Sequence, residues 1–280
     1  MAKKTLAELE QALADSKARE RLISMFDEES FVELDKFVSA DGEPASVITG
    51  YGTVEGAPVY VFSQDVSVKG GAMNKASAAK IRKVYGLAIK NGAPVIGIYD
   101  SKGGDISEGA EMLDAYSDIA CASAQLSGVV PQISLVAGIC AGTAAMTACM
   151  ADFVVMTEAS EFFMTAPFVA EDGNMPGAGT AANAAKSGTA AIVAKDEAAA
   201  IAEVKKLIRI LPSNNLELSG NDLFAENDAE VTSALTACAL VEAISDKNSV
   251  TELYADFGTA AYTAFASLSW RTVGFIATDK

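Results

Sequence analysis

The chain has 280 residues, half of them apolar, which is enough to bury a full core and indicates a single folded domain of α/β type. Its formal net charge of −16 argues against nucleic acid or an anionic membrane surface as a partner. The sequence contains no histidine. That excludes Ser-His and Cys-His catalytic pairs, histidine metal ligands and the usual neutral-pH acid/base group.

The cysteines indicate a reducing compartment rather than a metal site. No pair among the four has CxxC spacing, so a zinc ribbon is not expected and no metal is predicted. Three lie in apolar, Ala-rich stretches and are predicted to be small core residues. Free buried thiols suit a cytoplasmic protein, and residues 1–26 lack the apolar segment of a signal peptide. The four are Cys121, Cys140, Cys149 and Cys238.

Helix and hairpin signals dominate the first third of the chain. Thr5-Leu6-Ala7-Glu8 is a capping box, which predicts the start of a helix. Residues 47–54 and 58–66 alternate in polarity around a central Glu-Gly pair and predict a β-hairpin. Asn74 is expected to cap a helix that ends at Gly92. The apolar stripe predicted for this helix consists of Ile81, Val84, Tyr85 and Ala88.

Two buried strands that each end in a turn of small residues carry the most information. The first occupies residues 94–100 and continues as Ser101-Lys102-Gly103-Gly104-Asp105. The second occupies residues 132–137 and continues as Gly138-Ile139-Cys140-Ala141-Gly142-Thr143. Such turns let a ligand approach the backbone and point peptide N–H groups outward. Two of them close in space can hold one carbonyl oxygen as negative charge develops on it.

The helix between these strands is predicted to run from about residue 107 to 126. Residues 126–151 carry no charge and are long enough to cross a bilayer. A proline and two glycines divide them, so the pattern favours a central strand and an Ala-rich helix over a membrane span. A further strand at 152–156 completes βαβ units with a parallel sheet. The apolar line of the 107–126 helix is Met112, Tyr116, Ile119, Ser123 and Leu126.

Residues 170–217 are predicted to hold a loop, a helix and the start of a connection. Residues 170–190 are rich in glycine, alanine and asparagine, which predicts a mobile loop. Asp196 is expected to cap a helix that Pro212 ends. The polar residues 213–230 are interpreted as an exposed connection.

The C-terminal segment is predicted to be a helix and a strand. Ser249-Val250-Thr251-Glu252 is a second capping box, which predicts a helix over 249–270. The strand expected at 272–279 is followed by no helix, so a βα unit is cut short there. The residues at helical spacing are Leu253, Tyr254, Phe257, Ala261 and Phe265.

An ordered set of motifs resembles one family. They are FVEL at 31–34, TGYGTV at 49–54, SQD at 63–65, GG at 70–71, AIKNGAPVIG at 88–97, SGVVPQIS at 127–134 and CAG at 140–142. Each motif alone is weak, but the ordered set is specific. Over roughly residues 20–280 it resembles the carboxyltransferase subunits of biotin-dependent acyl-CoA carboxylases and sodium-pump decarboxylases.

The resemblance implies a crotonase-type α/β fold, which is a spiral of ββα units (the ClpP/crotonase fold). In the family, the first of two such halves binds coenzyme A, and the second half, from a neighbouring subunit, receives carboxybiotin. Residues 1–280 resemble the first half, with 20–245 as its core and 246–280 as a helix and strand that begin the second. The implied partners are an acyl-CoA, a biotin carboxyl carrier protein, and either a second-half subunit or further copies of this chain.

The resemblance also implies which atoms take part in the chemistry. The implied reaction passes through a thioester enolate held by backbone N–H groups: Gly104 from the first turn, and Gly142 or Thr143 from the second. The family's first turn usually reads Ser-Gly-Gly-Ala-Arg, so the arginine is missing here, and its second turn has Gly-Gly. Gly103-Gly104-Asp105-Ile106 is closer to enoyl-CoA hydratases, where the residue before the aspartate donates. The alternative is that these glycines only permit close strand–helix packing.

Missing carboxylates argue against the hydratase reaction. An enoyl-CoA hydratase has a glutamate where this chain has Met146, and a second one after a proline, where Phe168 follows Pro167. In carboxyl transfer, biotin or the leaving carboxylate can manage the proton, so a site without His or Glu is acceptable. A biotin-independent acyl-CoA decarboxylase of the crotonase superfamily and an inactive scaffold or fragment remain alternatives.

Coenzyme A is an anion, so basic residues are candidates for binding it. One side of the predicted helix at 74–91 is basic, although a solvated helix face is the alternative explanation. Lys102 in the first turn is a separate candidate. The resemblance implies that Gly70, Gly71, Gly103 and Ala141 also bind coenzyme A. The basic residues of the helix are Lys75, Arg82, Lys83 and Lys90.

Overall fold

The computed structural model describes residues 10, 16–40, 42–169, 177–217, 224–232 and 235–279. The predicted capping box at 5–8 and residues 170–176 of the predicted loop lie outside this part of the chain. The helices are α1 (Lys17–Met25), α2 (Lys75–Asn91), α3 (Ala110–Leu126), α4 (Thr143–Ala148), α5 (Ala181–Lys186), α6 (Glu197–Ile210) and α7 (Ala237–Ile244). The strands are β1 (Val32–Leu34), β2 (Ser39–Ala40), β3 (Glu43–Pro44), β4 (Val47–Val54), β5 (Ala57–Gln64), β6 (Val95–Ser101), β7 (Gln132–Ala141), β8 (Phe153–Thr157), β9 (Glu161–Phe163), β10 (Ile192–Ala194), β11 (Thr251–Glu252), β12 (Tyr262–Leu268) and β13 (Arg271–Ala277).

The main sheet is mixed, with the strand order β1-β4-β5-β6-β7-β8-β10. Strands β1, β4 and β5 pair antiparallel, and β5 through β10 along this path pair parallel. β9 pairs parallel with the last part of β7, beyond the segment that pairs with β8. The predicted hairpin and the predicted parallel βαβ units are therefore confirmed.

Helices cover both faces of this sheet, because its central strands are apolar on both sides. Along β6, Val95 and Tyr99 join the core beneath α2 and α3, while Ile96 and Ile98 join the core beneath α1 and α6. This alternation is the period of two that a strand imposes on its side chains. The result is a helix–sheet–helix sandwich. Its strands β5 and β7 run parallel to β6, so the turns that follow them lie at the same edge of the sheet.

The helix boundaries follow the predicted capping residues. The Asn74 side chain accepts from Ser77 N–H at the start of α2, and Gly92 ends α2 in the left-handed conformation with φ 60°. The Asp196 side chain caps α6. The third predicted helix begins at Ala110 instead of about 107, because residues 106–108 form a separate 3-10 turn. No helix in the described residues is long and apolar enough to cross a membrane.

The predicted helix over 249–270 is wrong. Residues 251–252 pair with β12, and β12 pairs antiparallel with β13, which gives a separate three-stranded sheet. The β12–β13 turn is Ser269-Trp270, both with positive φ, as a tight hairpin requires. The Asp246 carboxylate accepts from both of their N–H groups, at 3.2 and 3.0 Å. These bonds outweigh a helical spacing of apolar residues. The domain division at residue 245 stays a prediction.

Two smaller predictions are also corrected. Residues 181–186 of the predicted loop form α5, whose first turn is capped by the Thr180 hydroxyl. Among the cysteines, Cys140 is buried in β7, but Cys121 and Cys149 are exposed and Cys238 is half-buried. Cys121 lies on the outer side of α3 and Cys149 at the end of α4, so an Ala-rich context did not by itself place them in the core.

Candidate active site

Three turns of small residues meet where β6 and β7 end. The Lys102 N–H donates to the Gly70 carbonyl at 3.1 Å, and the Met73 N–H donates to the Gly103 carbonyl at 2.9 Å. A Cβ placed on Gly103 would lie 3.9 Å from the Ala141 carbonyl oxygen of β7. The structure therefore brings together the turns at 69–71, 101–104 and 142–143, as the sequence predicted for the latter two.

Gly104 presents its backbone N–H from the first turn. Its neighbours are bound, since Gly103 N–H donates to the Ser101 hydroxyl at 3.1 Å and Asp105 N–H to the Met73 carbonyl at 2.8 Å. Among the described residues, no acceptor receives a hydrogen bond from the Gly104 N–H. The Met112 thioether packs directly against the Gly104 Cα, where a Cβ would overlap it. Gly104 is thus a donor that must lack a side chain.

The second turn contains two predicted donors, and the structure distinguishes them. Gly142 has φ 66°, a conformation that favours glycine, and its N–H donates to the Phe163 carbonyl of β9 at 2.9 Å. Thr143 is the first residue of α4, so its N–H has no intrahelical acceptor. No other acceptor for it is found in the described part of the chain. The structure therefore favours the Thr143 N–H over the Gly142 N–H as the donor that is available to a ligand.

The carboxylate beside the first turn is already engaged. Asp105 lies 2.8 Å from the Lys69 ammonium and accepts from the Ser107 backbone and hydroxyl. The hydrogen bonds from Lys69 and Ser107 hold the pKa of Asp105 below its usual range. Met146 lies exposed on α4, where the predicted hydratase glutamate would stand. Asp105 is therefore ionised and already paired, which makes it poorly suited to transfer a proton.

The predicted coenzyme A contacts at Gly70, Gly71 and Lys102 lie together. Gly70 and Gly71 both have positive φ. A Cβ on Gly70 would lie 3.2 Å from the Lys102 side chain, and one on Gly71 would overlap the Asp100 carbonyl. Lys102 is exposed, and no carboxylate within ion-pair distance of it occurs among the described residues. It is a cation available to an anionic ligand at this turn.

The predicted basic face of α2 is largely neutralised. Lys75, Arg82 and Lys83 form ion pairs with Glu111, Asp118 and Asp35, at 3.5, 3.2 and 2.7 Å. These pairs favour the alternative explanation, a solvated helix face. Lys75 still lies near the first turn, because its backbone N–H donates to Glu108 at 2.9 Å.

Sequence reasoning missed a buried charge cluster behind the two turns. Arg21 donates to Asp100 at 2.9 Å and to Glu197 at 2.8 Å, and both Arg21 and Asp100 are buried. The sequence contained one indication that Arg21 is buried: it lies with Ala18, Leu22 and Met25 on the apolar face of its helix. Within the described residues, no group of three or more Cys, Asp or Glu side chains is arranged to hold a metal ion.

Comparison with known proteins shows the family to which this chain belongs. The sequence matches the carboxyl transferase domain family over residues 14–280. It is 35% identical to the propionyl-CoA carboxylase beta chain of Roseobacter denitrificans, over 93% of this chain and 57% of that protein. It is 36% identical to methylmalonyl-CoA decarboxylase subunit alpha of Veillonella parvula, over 96% of this chain and 59% of that protein.

A solved structure supports the same relationship. Transcarboxylase 12S, with methylmalonyl-coenzyme A and methylmalonic acid bound, aligns with a TM-score of 0.82 and 32% identity, over 95% of this chain and 57% of that chain. This chain thus spans less than two thirds of the length of these relatives. The predicted crotonase-like α/β fold is confirmed, and the chain belongs to the carboxyl transferase domain family.

Proposed function

We propose that this chain is the coenzyme A-binding half of a biotin-dependent carboxyltransferase. It moves a carboxyl group between an acyl-CoA and carboxybiotin, through a thioester enolate. The family match and the relatives that act on propionyl-CoA or methylmalonyl-CoA by name support this assignment. The free cysteines and the absence of histidine are compatible with a cytoplasmic enzyme that uses no histidine acid or base.

The observation that carries the proposal is the pair of backbone donors at Gly104 and Thr143. Both N–H groups lack a protein acceptor among the described residues, and they belong to adjoining turns. A thioester oxygen between them gains negative charge as the bond from the α-carbon to the carboxylate breaks. By analogy with measured oxyanion donors, each N–H stabilises that charge by about 3 kcal/mol.

The remaining chemistry needs little from this chain. In the decarboxylating direction, breaking the carbon–carbon bond leaves its electron pair in the enolate, so no protein base has to remove a proton. In the carboxylating direction the α-proton must leave, and biotin bound beside these turns would accept it as it gives up its carboxyl group. Asp105 stays ionised beside Lys69 and is not a proton donor. Biotin, delivered by a carrier partner, supplies or accepts the carboxyl group. The turns at 69–71 and 101–104 and the Lys102 ammonium bind and orient the thioester.

A second half is the partner that we expect for this site. The relatives are longer than this chain, and the 12S relative assembles as a hexamer by its own description. The β12–β13 hairpin leaves Trp270 and Ile276 exposed. Such apolar side chains at a sheet edge suit an interface with a second-half subunit or with another copy of this chain.

Calorimetry with malonyl-CoA, methylmalonyl-CoA and acetyl-CoA tests the proposal. We expect the chain to bind at least one of these esters and to turn over little without its second half. No binding of any ester at millimolar concentration would contradict the proposal. Carbon dioxide release from the bound ester in the absence of biotin would instead support the biotin-independent decarboxylase.

A further inference from the structure

Asp100 is the one charged residue of the buried strand β6. It is 7% exposed, and its carboxylate oxygen lies 2.9 Å from a guanidinium nitrogen of Arg21, which is 3% exposed. A buried carboxylate is costly unless it is paired and hydrogen-bonded. An apolar side chain at this position would avoid that cost. The ion pair is therefore expected to have a role that an apolar residue in β6 could not fill.

The other side of the Arg21 guanidinium binds Glu197. Its Nε and Nη2 donate to the two carboxylate oxygens of Glu197, at 3.1 and 2.8 Å. One arginine thereby links α1, the first turn of α6 and the end of β6. A planar guanidinium holds two carboxylates in fixed directions, which a single ammonium does not.

Asp100 lies where β6 and β7 lose their register. Tyr99 is paired with Val136, but Ser101 is paired with Cys140, so three residues of β7 face Asp100 alone. The Ile139 N–H points to the second Asp100 carboxylate oxygen, at 3.4 Å. A Cβ on Gly138 would overlap the same carboxylate. Beyond this bulge, β7 leaves β8, pairs with β9 and leads to Gly142.

The backbone of Asp100 contacts the third turn as well. Its carbonyl oxygen lies against the Cα of Gly71, which has no room for a side chain. Its N–H donates to the Gln64 side chain at 3.2 Å. Asp100 therefore touches the turn at 69–71, precedes the turn at 101–104 and contacts the strand that leads to Thr143.

We propose that the Arg21–Asp100 ion pair is a positioning device that sets the separation of the Gly104 and Thr143 N–H groups. This inference rests on the proposed function, since those N–H groups form its oxyanion site. The carboxylate fills the β7 bulge, and Arg21 holds it there from behind. Without the pair, the bulge can relax and the two turns move apart while the helices that pack the core stay in place.

The test uses the full chain with acetyl-CoA carrying ¹³C at its carbonyl carbon. Donation to the carbonyl oxygen moves this resonance downfield on binding. We expect Asp100→Asn, which keeps the side-chain shape, to lose most of that shift, while affinity changes by less than about threefold. Asp118→Asn is the matched control, since it removes an aspartate–arginine pair at 3.2 Å on the surface. It should leave the shift unchanged.

Two further variants keep the test decisive. Arg21→Met removes the cation that faces Asp100 and keeps a long side chain, so it should also lose the shift, and it replaces Asp100→Asn if that variant does not fold. Glu197→Gln retains the Arg21–Asp100 pair and should keep the shift. A shift in the wild type that Asp100→Asn or Arg21→Met preserves would overturn the positioning role alone. A bound wild-type thioester with no shift would overturn the oxyanion site as well.

Discussion

The Gly142 N–H donates to the Phe163 carbonyl at 2.9 Å, and this bond selects the donor of the second turn. It joins the end of β7 to β9 and occupies the Gly142 N–H, which was one of the two donors predicted from the sequence. The next N–H along the chain, that of Thr143, stands at the open start of α4.

Thr143→Pro should remove the donor with little change of fold, because proline is tolerated at the first position of a helix. We expect carboxyl transfer, assayed with the second half supplied, to fall by on the order of a hundredfold or more. Thr143→Ala keeps the N–H and should be nearly silent. Circular dichroism controls for the fold. Loss of activity in Thr143→Ala, with fold and coenzyme A binding intact, would show that the hydroxyl is the chemical group.

Gly104→Ala should destabilise the fold because its Cβ would overlap the Met112 thioether. Overpacking of this kind costs roughly 1–3 kcal/mol. Met112→Ala in the same chain should recover part of the lost stability, since it removes the thioether that the new Cβ would overlap. Urea unfolding of both single variants and the double variant measures the coupling. Strictly additive effects would show that the two residues do not compete for one space.

Lys102→Gln should weaken acyl-CoA binding by about fivefold, as expected for a partly exposed charge beside an anion worth roughly 1 kcal/mol. The loss should shrink as ionic strength rises, because salt screens exposed charges. Lys90→Gln is the matched control, as Lys90 is also exposed but lies at the far end of α2. Equal losses in both variants would indicate a general charge effect rather than a site at the first turn.

Lys80 makes stability depend on pH. Burial lowers its pKa from 10.5 to about 8, although Glu33 and Asp35 oppose the shift, and its ammonium donates to the Val47 carbonyl at 2.6 Å. Between about pH 8 and 10.5 the unfolded chain binds a proton that the folded chain does not. The stability contributed by Lys80 therefore rises with pH across this window.

The comparison is between the wild type and Lys80→Met. Urea unfolding at pH 7.5 and pH 10 should show the wild type gaining about 2 kcal/mol relative to the variant. Groups common to both proteins cancel in this difference. A difference that does not change with pH would mean that Lys80 titrates normally in the folded protein.

Ile276→Lys should reduce self-association. Ile276 is 83% exposed on β13, where a charge discourages pairing at a sheet edge. Leu216→Lys is the matched control, because Leu216 is 90% exposed and lies on the connection after α6, outside the strands of the hairpin. Light scattering over a wide concentration range measures both. A wild-type chain that stays monomeric throughout would contradict the expected interface.

Local signals predicted most of the core elements. Asn74 and Asp196 begin their helices because a side-chain oxygen binds an N–H three residues away. Where a local residue pattern and long-range contacts favoured different structures, the prediction from the local pattern was wrong. The capping box at 249–252 is overridden by strand pairing and by Asp246, whose bonds to the hairpin turn span more than twenty positions.

The sequence by itself determined the strand–turn–helix units, the small residues of their turns and the exclusion of histidine chemistry. These follow from residue type and spacing, which act over a few positions. The tertiary structure alone decided that the Gly142 N–H is hydrogen-bonded, while the Thr143 N–H has no acceptor among the described residues. It also decided that Arg21 contacts Asp100, 79 positions away in the sequence. Such contacts depend on which strands become neighbours, and periodicity along one segment carries no information about that.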